Sequence, residues 1–155
     1  MSILDLKGKL KMDKFGWTIV QTTQEIYHTY LNELEDDLRC FLDETIIAEY
    51  YFLAMNIHDE KVFGGFAIDK QFIKGLFALN KNNGKKLFER QLNIAKATEY
   101  KFVYLNCIGN KLKEFYEEFG FEIYAIARWD ERLACKKWNS KRFGMPNIYY
   151  MKKEL

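Results

Sequence analysis

Apolar side chains recur at every second position in several stretches of the first half of the chain, which is the period of a β-strand. Phe15, Trp17 and Ile19 alternate in this way and predict a first strand over residues 15–22. Further strands are predicted at residues 51–57, 62–69 and 72–79, with turns at residues 58–61 and 69–71. The glycine pair at residues 64–65 lies inside one of these strands and predicts a β-bulge there.

A period of 3.6 residues predicts three helices. Their apolar stripes cover residues 27–41, 85–98 and 112–119. Thr22 stands three residues before Glu25, a capping-box pattern that predicts the start of the first helix. Gly120 follows the third helix at the usual position of a C-cap glycine.

Three more strands complete the predicted order of elements. They cover residues 102–108, 121–129 and 147–153. In the second of them, alternation places Phe121, Ile123, Ala125 and Ala127 on one face. The strand–helix–strand–helix–strand order in the second half indicates right-handed crossovers, so we predict an α/β fold with a mixed, mostly antiparallel sheet flanked by helices. Without repeats or linkers, residues 1–155 are predicted to form a single domain.

Charge and hydrophobicity exclude several classes of protein. The 155 residues include 24 Lys and Arg against 22 Asp and Glu, which does not favour a strongly electrostatic nucleic-acid binder. Hydrophobic residues are 48% of the chain, so extended disorder is not expected. No apolar run reaches the roughly 20 residues that cross a bilayer, and residues 1–14 lack a secretion signal, so we expect no membrane partner.

The cysteines and histidines predict neither disulfides nor a metal. Cys40, Cys107 and Cys135 are odd in number, widely spaced and without a CxxC motif, which favours a reducing, cytoplasmic location. His28 and His58 lie 30 residues apart and lack ligand spacing to any cysteine.

A polar segment between a predicted strand and helix is the first candidate site. It consists of Lys81, Asn82, Asn83, Gly84, Lys85 and Lys86. The first turn of a helix offers free N–H groups and a positive dipole end, which suit a phosphate or pyrophosphate. The alternative is a polar turn that binds nothing, because one glycine is a weak phosphate motif.

Tyr116 is the second candidate. It lies on the apolar stripe of the third helix, four residues before Gly120. A core tyrosine would occupy the same position, but a tyrosine here could also donate its phenolic proton to a leaving thiolate as a general acid.

Together these features resemble the GNAT superfamily of N-acetyltransferases. The similarity rests on a strand, a glycine-bearing turn and helix, another strand, and a helix that carries Tyr-x-x-x-Gly-Phe at residues 116–121. The resemblance implies that acetyl-CoA is the cosubstrate and that residues 82–86 bind its pyrophosphate. It also implies that Tyr116 protonates the departing thiolate, and that backbone N–H groups near Ala78 and Leu79 polarise the thioester carbonyl.

The turn departs from the family pattern Arg/Gln-x-x-Gly-x-Gly/Ala. In one alignment Leu79 takes the Arg/Gln position, and Asn82 and Gly84 take the two small positions. In the other, Lys81 takes the first position, and Gly84 and Lys86 take the small ones. Either way one small residue is replaced, and a side chain there hinders approach of a pyrophosphate to the backbone.

Two further roles are assigned by position. The family often has Asn seven residues before the tyrosine; Gly109 stands there, so the adjacent Asn110 is the candidate for coenzyme binding. The strand at residues 72–79 has no carboxylate, which leaves Asp69 and Glu49 as candidates for a general base.

A basic arm begins at Asp130 and ends at Pro146. Its cations and rings are Arg132, Lys136, Lys137, Lys141 and Arg142, with Trp138 and Phe143. Cations between rings suit single-stranded nucleic acid or another anion, but the arm would also serve as a connection that covers the end of the sheet. Residues 138–151 resemble acetyltransferase-like proteins encoded by phages and prophages. The acidic residues Glu33, Glu35, Asp36 and Asp37 are predicted to form a solvated helix face.

The leading functional hypothesis is acetyl-CoA-dependent N-acyl transfer to a small-molecule or protein amine. The alternative is a non-catalytic GNAT-like phage protein that binds a host protein or nucleic acid. Modification of a DNA base on the same scaffold is a third hypothesis, and it rests on the basic arm alone.

Overall fold

The computed structural model describes residues 16–56, 58–80 and 82–155. The strands are β1 (Thr18–Thr22), β2 (Tyr50–Met55), β3 (Val62–Asp69), β4 (Phe72–Ala78), β5 (Phe102–Ile108), β6 (Glu122–Ala127) and β7 (Ile148–Glu154). The helices are α1 (Gln24–Leu31), α2 (Asp36–Arg39), α3 (Gly84–Lys96), α4 (Asn110–Glu117) and α5 (Ser140–Phe143). These seven strands of the described residues join one sheet in the order β1-β2-β3-β4-β5-β7-β6, in which the β4–β5 pair is parallel and the other pairs are antiparallel. The predicted mixed, mostly antiparallel sheet flanked by helices is confirmed.

The sheet separates two apolar cores. Helices α3 and α4 cover one face, where Phe66, Phe88 and Met151 are at most 1% exposed. Helix α1 covers the β2–β3–β4 part of the other face, where Tyr27 and Phe77 are buried. Each face of the central strands is therefore apolar, which explains why they read as nearly continuous hydrophobic runs.

The first helix begins later and ends earlier than predicted. Thr22 is the last residue of β1, and the side chain of Thr23 caps α1 by accepting the N–H of Ile26 at 3.2 Å. The predicted single stripe is divided between α1 and the short α2, whose first turn contains Asp36 and Asp37. Acidic side chains are favourable in a first helical turn because of the helix dipole, so this run favours a new helix start over continuation of α1.

The prediction that Phe121, Ile123, Ala125 and Ala127 share one face of the strand is wrong, because β6 contains a bulge. Between Ile123 and Ala125 the pairing with β7 shifts by one residue, so that Tyr124 is extra. Because one extra residue reverses the alternation, Ala125 and Ala127 lie on the face opposite Ile123, and Ile126 takes the place predicted for them.

The bulge predicted at residues 64–65 is replaced by two bulges beside it. On the β2 side, Phe63 is the extra residue of β3. On the β4 side the extra residue belongs to β4, because Lys74 pairs with Ala67 and Phe77 with Gly65. The insertion in β4 therefore falls at residues 75–76, and it places Ile73 and Phe77 in different cores.

Gly75 and Tyr27 hold the bulge of β4 together. Gly75 has a φ of +67°, a conformation that side chains disfavour. The fully buried Tyr27 donates its hydroxyl to the carbonyl of Gly75. A Cβ atom on Gly75 would overlap that hydroxyl oxygen, so the position requires glycine for both backbone conformation and space.

We predict that Gly75→Ala destabilises the fold. The positive φ and the displaced tyrosine together should lower the free energy of unfolding by about 2–4 kcal/mol, measured by urea denaturation. Gly84→Ala is the matched control, because a Cβ on Gly84 would meet no atom within 4 Å and its φ is not positive. Its effect should stay within about 0.5 kcal/mol. Equal effects of the two substitutions would contradict the role given to the bulge.

Candidate active site

A gap opens between β4 and β5. Within the described residues, the two strands share a single pair of partners, Phe72 and Tyr104, supported by a hydrogen bond from the Tyr104 N–H to the Gln71 carbonyl at 2.9 Å. Beyond that pair the parallel strands run on without pairing as far as Ala78 and Ile108. The gap therefore widens toward their carboxyl ends, where open α/β sheets usually bind ligands.

Two helices begin at the open end of this gap. Helix α3 follows β4, and helix α4 follows β5. Neither helix has a side-chain hydrogen bond at its N-cap, which is Asn83 for α3 and Gly109 for α4. The first N–H groups of a helix have no intrahelical partner, so two positive helix ends face the mouth of the gap.

The predicted phosphate segment forms the start of α3. Asn82 has a φ of +75° and turns the chain toward the helix, Asn83 is the N-cap, and Gly84 is the first helical residue. The protein's own packing does not require glycine at position 84, since a Cβ there would meet nothing within 4 Å. A ligand from outside can therefore approach the backbone closely.

The lysines of this segment have different surroundings. Lys85 is exposed. The ammonium of Lys86 lies 5.8 Å from the centre of the ring of Trp17, the residue before β1. Lys81 lies outside the described residues.

The end of β4 offers one backbone donor to the gap instead of two. The N–H of Leu79 donates to the Phe63 carbonyl at 2.9 Å, so it faces β3, and the predicted role of Leu79 is corrected. Ala78 pairs with Gly64 in the same ladder. Because successive residues of an antiparallel strand direct their backbone groups to opposite sides, the N–H of Ala78 points away from β3 and toward the gap.

Tyr116 lies on α4, packed against α3. Its ring centre is 4.8 Å from that of Phe88 and 6.1 Å from that of Phe121. Gly120, with a φ of +89°, ends the helix and lets Phe121 return its N–H to the Tyr116 carbonyl at 3.3 Å. The Tyr-x-x-x-Gly-Phe pattern is thus a helix end that fixes the tyrosine ring.

The surroundings of Tyr116 favour the protonated form of its phenol. Its hydroxyl makes no hydrogen bond within the described part of the chain. Desolvation by burial raises its pKa well above the usual value, and the thiol of Cys107, when charged, raises it further. Tyr116 is therefore protonated at neutral pH and has a free donor, as a general acid needs.

Solved structures that are similar to this chain include acetyltransferases. Spermidine N-acetyltransferase from Vibrio cholerae, in complex with CoA and spermine, is 12% identical, with a TM-score of 0.66 over 91% of this chain and 96% of that one. An acetyltransferase from Bacillus subtilis in complex with CoA is 18% identical, with a TM-score of 0.66 over 88% and 97%. A GNAT family acetyltransferase from Elizabethkingia anophelis with acetyl-CoA bound is 17% identical, with a TM-score of 0.58 over 92% and 100%. The chain has the GNAT acetyltransferase fold.

The likeness is one of fold, because all three identities are low. No family model and no curated protein matches the sequence. The resemblance to phage-encoded proteins stays a prediction, as none of these structures bears on it.

Asn110 stands at the second helix start of the GNAT fold. Its side-chain oxygen accepts a hydrogen bond from the Tyr149 hydroxyl at 2.6 Å, and the residue is exposed. Because Tyr149 occupies the oxygen, the amide N–H₂ of Asn110 is the group left for a ligand. Asn110 therefore borders the predicted site from the β5 side.

The two candidate bases lie at the closed end of the gap. Asp69 ends β3 beside Phe72 and is 3.7 Å from the ammonium of Lys74. Glu49 precedes β2 and raises the pKa of Tyr50 through a hydrogen bond and its charge. Neither carboxylate is brought to the mouth of the gap near Ala78.

The basic arm contacts the acidic residues 35–37, a contact that the sequence pattern did not predict. Lys137 lies 2.8 Å from Asp36, and Arg142 lies 3.1 Å from Asp37 and 3.4 Å from Glu35. The acidic residues are thus not simply a solvated face. Within the arm, Arg132 also pairs with Asp130 at 3.0 Å. Three of the arm's cations are thus already paired, which reduces the positive charge that the arm can offer to nucleic acid.

A disulfide corrects the prediction that the cysteines remain unpaired. Cys40 and Cys135, 95 residues apart in sequence, are bonded, with their Cα atoms 5.5 Å apart. Sequence spacing alone does not reveal which distant cysteines meet in a fold. Cys107 is buried and free. The cytoplasmic location inferred from the cysteines stays a prediction.

Among residues 16–56, 58–80 and 82–155, no helix has the length and apolar character needed to cross a bilayer.

The raised pKa of Tyr116 predicts a pH dependence of stability. Its contribution is complete below the pKa of an unfolded tyrosine and declines as pH rises toward the folded value, since the unfolded chain then loses the proton first. When the pH rises from about 8 to about 11, the free energy of unfolding of the parent should therefore fall by about 1 kcal/mol more than that of Tyr116→Phe. Tyr100→Phe, at a tyrosine that is 41% exposed, is the control and should follow the parent. Parallel curves for all three proteins would contradict the burial of the phenol.

Proposed function

We propose that this protein transfers the acetyl group of acetyl-CoA to an amine. The observation that carries the proposal is the gap between β4 and β5, with two uncapped helix ends at its mouth. The solved structures of this fold that contain CoA or acetyl-CoA support it.

The residues around α3 fit a pyrophosphate. The N–H groups of Gly84 and Lys85 lie in the uncapped first turn, and the positive end of the helix dipole favours an anion there. Gly84 leaves space for close approach, so the departure from the family pattern does not close the site. Lys85 and Asn110 add a cation and an amide at the two sides of the mouth.

Acetyl-CoA supplies an activated thioester. The N–H of Ala78 polarises its carbonyl oxygen as the amine nitrogen bonds to the acetyl carbon. As the carbon–sulfur bond breaks, Tyr116 gives its phenolic proton to the sulfur. The attacking nitrogen releases one proton to water, because neither candidate carboxylate, Asp69 or Glu49, lies at the mouth of the gap. The phenolate of Tyr116 then takes a proton back from water.

The acceptor is a primary amine on a small molecule or a protein. The Vibrio cholerae enzyme was solved with spermine, which is consistent with an amine acceptor in this fold. The acceptor would enter from the face of the sheet opposite α3 and α4, where the gap is bordered by Phe72 and Asn106.

Tyr116→Phe tests the acid. If the phenol protonates sulfur, the substitution should lower kcat by roughly 10² to 10⁴, with folding retained because Phe fits the same apolar site. Release of free CoA thiol over a panel of amines is the measurement. Tyr100→Phe is again the control. An active Tyr116→Phe protein would refute the assignment.

A charge at position 84 tests the coenzyme site. Gly84→Asp places a carboxylate at the start of α3 and should weaken acetyl-CoA binding by roughly tenfold or more in calorimetry. Asn93→Asp adds the same charge on the exposed face of α3 and should bind like the parent. If both variants bind equally well, the pyrophosphate lies elsewhere.

A further inference from the structure

The two halves of the sheet meet at the Phe72–Tyr104 pair, and the arm at residues 130–146 connects them at a second place. One half carries α1 and α2 beside β1 to β4, and the other consists of β5, β7 and β6. The arm leaves β6, returns to β7, and on its way is bonded to α2 through Cys135 and Cys40. We call this junction of the arm and residues 35–41 the clasp.

Aromatic rings and ion pairs complete the clasp. Phe41 packs against both Trp138 and Phe143, with ring centres 5.0 Å and 4.7 Å away, and those two rings also contact each other at 5.5 Å. The ion pairs of Lys137 and Arg142 join the same two segments and are at least partly exposed. Because exposed ion pairs contribute little in water, and the disulfide closes a loop of 95 residues, the disulfide is the strongest restraint on the arm.

One end of the clasp borders the cleft on the acceptor side, and the other lies at the mouth of the gap. Three residues beyond Cys40, Asp43 lines a cleft of about 170 Å³ with residues of β4, β5 and β7. At the other end, a Cβ on Gly109 would lie 3.6 Å from Pro146, and the Gly109 N–H donates to the Asn147 carbonyl at 2.9 Å. The arm therefore ends where β5 ends, at the mouth of the gap.

We propose that Cys40–Cys135 is a thiol–disulfide exchange site, that a dithiol is its reactant, and that reduction releases the arm and widens the acceptor entrance. The second part rests on the proposed function; the exchange and the release of the arm do not. Exposed disulfides are the labile and regulatory ones, which fits a bond that restrains a surface arm and has one exposed cysteine.

The two cysteine residues differ in exposure, which favours attack from the side of Cys135. Cys40 is 3% exposed, whereas Cys135 is exposed. A thiolate of the dithiol bonds to the Cys135 sulfur, the Cys40–Cys135 bond breaks, and its electron pair leaves on Cys40, which takes a proton. The second thiol of the reagent then displaces Cys135, which leaves two protein thiols and one cyclic disulfide, with two electrons taken from the dithiol.

Amide hydrogen exchange tests directly whether reduction of the Cys40–Cys135 disulfide releases the arm. Treatment with dithiothreitol should speed amide exchange in residues 130–146 several-fold, and Cys40→Ser/Cys135→Ser should reproduce this without reductant. Cys107→Ser is the control, because that buried cysteine is outside the bond; it should behave like the parent in both conditions. Unchanged exchange in the arm, or absence of the Cys40–Cys135 cross-linked peptide by mass spectrometry after mild oxidation, would overturn the proposal.

Opening of the entrance is measured without catalysis. Asn106 lines the cleft and is exposed, so a cysteine placed there reports access to it. Maleimide labelling of Asn106→Cys should be several-fold faster in the Cys40→Ser/Cys135→Ser background than with the disulfide intact. Asn93→Cys, on the far side of α3, should label equally in both. Equal rates at position 106 would refute gating, while an inactive enzyme with faster labelling would refute the proposed function alone.

Discussion

The hydrogen bond from Tyr27 to the Gly75 carbonyl is the contact on which the arrangement of the site depends. It ties α1 to an insertion in the middle of β4, at a φ that glycine adopts readily. Breaking it would leave a buried carbonyl without a partner, which costs about 1–3 kcal/mol. The bulge is therefore held from the side of the sheet opposite α3, so its geometry is set before any ligand arrives.

The consequences of the bulge run along β4. It transfers Phe77 to the core under α1, while Ile73 remains under α3. It also lies within the stretch in which β4 no longer pairs with β5, where the sheet divides into two halves that share the Phe72–Tyr104 bridge. Since a helix follows each of the diverging strands, the split also brings two positive helix ends together. The two helix starts and the Ala78 N–H, to which we assign acetyl-CoA, therefore lie at the mouth of the gap.

Local patterns could predict most of the elements, and distant contacts could not be predicted. The bounds of β3 and β5 could be predicted from the sequence, because both strands are largely buried and their apolar residues end where the strands end. The faces of β6 could not be predicted, because one extra residue at Tyr124 reverses an alternation that looks regular. The Cys40–Cys135 bond and the pairing of Arg142 with Asp37 join segments about a hundred residues apart, and only the assembled sheet brings them together. Gly75 carried a usable signal, an isolated glycine in a strand, but the adjacent glycines at residues 64–65 carried the same signal more strongly.

The central claim is that acetyl-CoA occupies the gap between β4 and β5. Its most direct test is a titration of acetyl-CoA followed through backbone amide chemical shifts, which suits a protein of 18.6 kDa. The account predicts that the largest shifts occur at Ala78, Gly84, Lys85 and Asn110, where β4 ends and the two helices begin. Shifts confined to the arm, or none at millimolar ligand, would contradict it.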